Sequence, residues 1–122
     1  MSNQIIYTEK APEPIGPYSQ AVLAGSTLYI SGQIAFEASQ NGTLEEETTQ
    51  VMENIGAILS AAGYSYLDVV KCSIFLKSMD DFAEVNEVYG RYYKNKPPAR
   101  ETVQVACLPK NVNVEISAIA VK

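Results

Sequence analysis

Hydrophobic and polar positions along this chain follow two periods, and the switches between them mark the elements. Alternation of period two puts one side of an extended strand against a core, whereas apolar residues three and four apart mark one face of a helix. Gln4–Tyr7 is a short strand candidate. The Pro-rich stretch Ala11–Pro17 that follows is excluded from regular helix, because each Pro removes a backbone donor and restricts the residue before it. Ala21–Ala24 and Thr27–Ser31 then read as strands, with Gly25-Ser26 as the two-residue primed turn of a hairpin.

A helix follows the turn signal Asn41-Gly42. Thr43 as N-cap with Glu46 three residues on is a capping box. Val51, Ile55, Ile58, Leu59 and Ala62 recur at helical spacing, and Gly63 suits the position just past the helix end. The acidic run Glu45–Glu47 lies in the first turn, where the helix dipole favours negative charge, and needs no functional explanation. Val69–Lys77 alternates, with Val70, Cys72, Ile74 and Leu76 on one face. Ser78-x-x-Asp81 opens a second helix with the stripe Phe82, Val85, Tyr89 and Tyr92, ended by Lys94–Pro98. Two strands close the chain, Glu101–Cys107 and Val112–Val121. The order predicts a single α+β domain over residues 1–122, with a mostly antiparallel sheet and both helices on one face.

Candidate chemistry comes from the other face. If the last two strands form a hairpin with Cys107 opposite Val112, then Val105 and Val103 point with Val114 and Ile116 toward the helices. The opposite side then carries Thr102, Gln104, Glu115 and Ser117, joined by Arg100. The bland reading is a solvated outer face with Arg100 and Glu115 in a mutual salt bridge. Against it, Ile119, Val121 and Ala35-Phe36 add apolar surface, and a half-apolar sheet face marks an interface between copies. There Arg100 would bind a carboxylate through its planar fork. Glu115 would hold a water or move its proton, given a burial-raised pKa.

Composition narrows the chemistry further. The 122 residues hold 9 Lys and Arg against 14 Asp and Glu, a net charge of −5, with the cations scattered. That argues against a nucleic-acid partner. Histidine is absent, which removes His-based metal sites and Ser-His or Cys-His nucleophile pairs. Cys72 and Cys107 have neither CxxC nor metal-ligand spacing, and both read as buried small hydrophobes in a reducing compartment. The first residues do not read as a secretory signal, and no apolar run reaches the roughly 20 residues that span a bilayer, so the expected location is cytoplasmic, without membrane association.

Taken in order, Ile15-Gly-Pro-Tyr-Ser-Gln-Ala21, Ser31-Gly-Gln33, Phe82-Ala-Glu-Val-Asn86 with Tyr89, Pro97-Pro-Ala-Arg100, Leu108-Pro-Lys and Val114-Glu-Ile-Ser-Ala-Ile-Ala120 resemble the reactive intermediate deaminase (RidA/YjgF) family. The resemblance runs from Ile15 to Ala120. It implies a chorismate-mutase-like α+β fold, a barrel-like homotrimer with clefts between subunits, and no cofactor. The implied reaction converts 2-aminoacrylate-type enamines, 2-iminobutanoate or 2-iminopropanoate to 2-keto acids and ammonium. Arg100 would bind the substrate carboxylate and Glu115 would position the attacking water. Ser31, Gly32, Gln33 and Thr102 would line the pocket, with Tyr18 and Asn86 shaping it. Many members carry Cys at Thr102 and a small residue at Glu101. A non-catalytic carboxylate-binding module is the alternative reading, and a ribonuclease the third.

Overall fold

The structure, a computed structural model, describes residues 2–122. Its strands are β1 (Gln4–Ile6), β2 (Ala21–Ala24), β3 (Thr27–Gln33), β4 (Val69–Leu76), β5 (Ala99–Gln104) and β6 (Val114–Val121). The helices are α1 (Phe36–Asn41), α2 (Leu44–Ala61) and α3 (Phe82–Gly90). All strands join one sheet in the order β1-β2-β3-β6-β4-β5, and every neighbouring pair is antiparallel except β4 and β5. The α+β architecture with helices against one face is as the patterning predicts.

Local chemistry explains the strongest elements. Gly25 takes a φ of 62° in the β2–β3 turn, the left-handed conformation that the primed hairpin asks of its first residue. Thr43 Oγ1 accepts from the Glu46 amide at 3.1 Å while Glu46 accepts from the Thr43 amide at 2.8 Å, so the capping box forms. Gly63 has a φ of 78° just past the end of α2. Val51, Met52, Ile55, Ile58 and Leu59 are buried against the sheet, meeting Leu28, Ile30, Cys72, Ile74, Leu76, Val114, Ile116, Ala118 and Ala120. Each such aliphatic side chain, fully withdrawn from water, contributes about 1.5–3 kcal/mol.

Several expectations are corrected. The last two strands are not a hairpin: β5 lies parallel to β4 with Cys72 opposite Arg100 and Ile74 opposite Thr102, while β6 is inserted between β3 and β4. The β4–α3–β5 segment is thus a crossover unit, the connection that parallel neighbours require. Val103 pairs with Phe75 and is 42% exposed, not turned to the helices. Val70 is also exposed, because the β4–β6 register shifts between Val69 and Lys71 and Val69 is buried in its place. The second helix stops at Gly90, short of Tyr92, and Ser78 caps a single 3₁₀ turn before it. The α1 turn after β3 was not expected. Cys72 is buried, but Cys107 is exposed.

The acidic first turn of α2 also divides. Glu45 and Glu46 are exposed, whereas Glu47 is 0% exposed. Its carboxylate accepts from the Asn113 amide at 2.9 Å, the Asn113 side chain at 2.7 Å and the Val114 amide at 3.3 Å. It is an internal clamp between α2 and the start of β6, with a structural role that the dipole argument leaves out.

Candidate active site

The inserted β6 changes what the candidate residues share. Along β4, Cys72 and Ile74 face the helices, and their partners across β5 are Arg100 and Thr102. Phe75 faces the other way, and its partner across β6 is Glu115. Arg100 and Thr102 therefore lie on the helix side, and Glu115 and Ser117 on the open side. No ion pair joins Arg100 to Glu115 among the described residues. Glu101, as parity predicts, points away from Arg100: its carboxylate accepts from the Ser73 hydroxyl and pairs with Lys71 at 3.0 Å.

The helix-side half of the site is a held guanidinium. Arg100 Nη1 donates to Asn86 Oδ1 at 2.6 Å, and the guanidinium carbon lies 5.0 Å from the Tyr89 ring centre and 5.8 Å from that of Phe82. Phe82, Asn86 and Tyr89 stand at i, i+4 and i+7, one stripe of α3 facing the edge strand. Cation–π contact on two rings fixes the guanidinium while leaving most of its donors free. Two hydroxyls in this region, Thr102 Oγ1 and Tyr89 Oη, are sealed from solvent without a hydrogen-bond partner among the described residues. Unpaired buried hydroxyls are rare because each forfeits its hydration, so these two are available to a polar partner. Burial raises the Tyr89, Tyr93 and Cys72 pKa values, keeping all three groups neutral at pH 7. Phe82 and Tyr89 are site residues that sequence reading assigned to packing, although their helical spacing with Asn86 carried the signal.

The other half forms where β3 is irregular. Ile30 pairs with Ala118 and Gln33 with Ile116, so β3 spends one extra residue at Ser31-Gly32. The bulge brings the Gly32 backbone against Glu115, where an added Cβ would overlap the carboxylate. Glu115 is half-buried, and desolvation raises its pKa above the ordinary 4.5. The Ser31 hydroxyl donates to the Ser19 carbonyl at 2.6 Å, tying the preceding loop to β3. Gln20 does the same from within: its buried amide accepts from the Thr8 amide at 2.8 Å and donates to the carbonyls of Thr8 at 3.0 Å and Pro12 at 2.9 Å. That loop carries Tyr18, which is exposed and borders a hollow of about 360 Å³ together with Gly32 and Gln33.

The chain therefore places the candidate residues in two separate groups: Arg100, Asn86 and Thr102 on the helix side, and Tyr18, Ser31, Gly32, Gln33 and Glu115 around the β3 bulge. Among the described residues there is no group of three or more His, Cys, Asp or Glu able to hold a metal ion, and no helix long and apolar enough to cross a membrane.

Comparisons with known proteins add a family context. The profile of the family described as Endoribonuclease L-PSP matches residues 8–122. A RutC family protein of Pyrococcus horikoshii is 52% identical, covering 98% of each chain. The human protein named 2-iminobutanoate/2-iminopropanoate deaminase is 47% identical over 98% of this chain and 90% of its own. Among solved structures, E. coli TdcF with bound serine superposes with a TM-score of 0.91 at 41% identity, covering 98% of each chain.

Proposed function

The chain belongs to the RidA/YjgF family, whose profile carries the description Endoribonuclease L-PSP, and from that premise we propose that it is a deaminase of reactive 2-imino and enamine acids. Its substrates are 2-iminobutanoate, 2-iminopropanoate and the 2-aminoacrylate type, and its products are a 2-keto acid and ammonium. One observation carries the reading: a half-buried carboxyl with a raised pKa and a clamped guanidinium with free donors are presented on opposite faces of one sheet. Neither face alone makes a catalytic site. Two copies, one offering the Arg100 edge and the other the Glu115 face, make a cleft with both.

In that cleft Arg100 of one copy grips the substrate carboxylate with two parallel N–H donors. Thr102 and its unpaired hydroxyl border the same end. Glu115 of the other copy takes a proton from a water as its oxygen bonds to the imine carbon, and the C=N π electrons move to nitrogen. The proton held by Glu115 then passes to nitrogen, and the adduct expels ammonia as its hydroxyl becomes the keto oxygen; the hydroxyl proton returns to Glu115 and passes on to the ammonia, giving ammonium. An enamine first takes a proton on its β-carbon to reach the same imine. No metal is needed, because the iminium carbon is already electrophilic. Orientation and one positioned carboxylate supply the acceleration, the latter about 10²–10⁴-fold.

The open face supports closure by further copies, a homotrimer as the family resemblance implies. Tyr29 is 50% exposed and Val121 40%, with Ile119 of β6 in register with Tyr29. The net charge of −5 and the absence of histidine weigh against the ribonuclease named in the family description.

The direct test couples the protein to a threonine or serine dehydratase and follows keto-acid release. Arg100→Ala is expected to lower kcat/KM by about 10–100-fold, the worth of charge-assisted hydrogen bonds. Mixing the impaired Arg100→Ala with the impaired Glu115→Ala, then unfolding and refolding them together, is expected to restore up to about one quarter of the wild-type activity. Random assortment in a closed ring leaves that share of clefts with both native residues. No recovery in mixed oligomers of demonstrated composition removes the two-copy site. The serine bound to TdcF favours a second reading, a carboxylate binder without turnover. That reading is distinguished by binding that survives Glu115→Ala in a wild type that releases no product.

A further inference from the structure

The hollow of about 360 Å³ beside β3 has a wall chemistry that the deaminase reading does not use. Arg100 and Glu115 are both outside its lining. Its body is apolar, built from Pro12, Ile15, Ile34, Ala35, Phe36 and Ala38, and its volume falls in the range of small-molecule pockets. Its polar groups include amides and carboxylates. Gln33 is 6% exposed; its amide nitrogen donates to the Ser31 carbonyl at 3.1 Å, while its amide oxygen accepts no hydrogen bond among the described residues. Gln33 lines the hollow. Glu13 and Glu37 add carboxylates at the rim.

The single cation in the lining, Lys110, shows what this rim attracts. Its ammonium lies 4.8 Å from the centre of the Phe36 ring. Lys110 and Asn111 hold φ values of 54° and 57°, a left-handed pair that non-glycine residues adopt only at a cost. The turn that carries them sets the lysine over the aromatic face. The chain's own ammonium thus sits over the aromatic wall of a hollow whose lining also holds two carboxylates.

We propose that this hollow is a binding site for small amphiphilic primary amines, with the apolar body against Phe36, Ile34 and Ala38 and the ammonium donating to Gln33 Oε1 and the Glu13 and Glu37 carboxylates. Lys110 competes for the same position as a tethered surrogate. The site shares Tyr18, Gly32 and Gln33 with the proposed cleft but does not depend on the deaminase reading, since neither Arg100 nor Glu115 takes part.

The test is calorimetric titration of the full-length protein with 2-phenylethylamine, 2-phenylethanol and 3-phenylpropanoate, which share an aromatic body and differ in head group. The expected order is amine tightest, alcohol weaker, carboxylate weakest. Glu13→Gln combined with Glu37→Gln should weaken the amine about three- to tenfold, because partly solvated charge pairs are of modest strength. Lys110→Met should tighten it, an opposite sign that a merely misfolded variant cannot produce. Ala38→Phe, with circular dichroism to verify folding, should abolish it by filling the hollow, and Arg100→Ala should leave it unchanged. Carboxylate binding as tight as amine, loss of amine binding in Arg100→Ala, or no saturable binding of any probe because a second copy closes the hollow each overturns the proposal.

Discussion

The two faces of the sheet obey the same alternation and end in opposite conditions. On the helix side, Leu28, Ile74, Leu76, Val114, Ile116 and Ala120 are buried to 1% exposure or less. On the open side, residues one position along the same strands alternate with them: Tyr29 and Val121 are exposed and Ile119 is half-buried, beside Glu115, Ser117 and Lys71. One chain finishes the first face. The second keeps exposed apolar side chains and carries Glu115, whose pKa desolvation raises. The contrast teaches that folding and site assembly are separate steps here: α2 and α3 complete the core, and on the proposed function a second copy completes the chemistry.

The comparison can be broken most forcefully at adjacent positions of β6. Ile116→Ala should cost about 2–5 kcal/mol in urea unfolding, through lost burial and an unfilled cavity. Ile119→Ala should cost under about 1 kcal/mol in the chain itself and act instead on association, read as a concentration-dependent fall in sedimentation coefficient. Equal costs at the two positions would mean that the faces are not distinct in the way argued. Glu47→Ala ranks next, at about 3 kcal/mol. Removing its carboxylate strands the Asn113 and Val114 amides, and hydrogen bonds to charged groups are the stronger kind. Its effect belongs wholly to the helix side, so oligomer state should follow stability and not precede it.

Gly32 tests the open face without touching the core. An alanine there meets only the flexible end of Glu115, so stability should change by under about 1 kcal/mol while the carboxylate is displaced. Keto-acid release should then fall about 10–100-fold, mainly in kcat, as expected when a positioned group moves by an ångström. The pH profile gives the sign. Desolvation raises the Glu115 pKa, so the limb on which activity grows as this carboxyl loses its proton should lie above the ordinary 4.5. Glu115→Gln should abolish that limb. A limb unchanged by the substitution would assign the titration elsewhere.

Much of this was legible in the residues. The capping box at Thr43 and Glu46, the Gly25-Ser26 turn and the α2 stripe are local signals, and each forms as read. The parity of Arg100 with Thr102, and of Glu101 against both, also holds. What parity cannot give is the neighbour. Glu101–Cys107 and Val112–Val121 read as strands joined by a tight Leu-Pro-Lys-Asn connection, which favours a hairpin on local grounds, although the strands run over Ala99–Gln104 and Val114–Val121. β6 instead enters between β3 and β4, where its apolar residues are covered on one face along both edges. That choice is a tertiary gain invisible to local pattern, and it moved Arg100 to the opposite face from Glu115. The order strand, helix, strand around α3 was the available clue to a parallel pair. Glu47 was missed for a related reason: its partners, Asn113 and Val114, are remote in sequence, and only packing reveals them.

The smallest expected effect sharpens the comparison most. Glu101 lies on the open side, bonded to Ser73 and paired with Lys71, and those partners lower its pKa, the serine hydrogen bond foremost. A depressed carboxylate adds stability that is present above its unfolded pKa and is lost as pH falls through its folded one. In the solvated chain the gap between wild type and Glu101→Gln should be slight at pH 7, shrink further in salt, and close as the pH drops below the ordinary 4.5. If a second copy covers this face, water is excluded from the Lys71–Glu101 pair and its removal becomes more costly. The same substitution should then matter more at concentrations where the protein is associated than where it is dissociated. Denaturant midpoints at high and low protein concentration read that difference directly. A gap independent of concentration would place Glu101 outside the contact and leave the open face to be closed nearer β3.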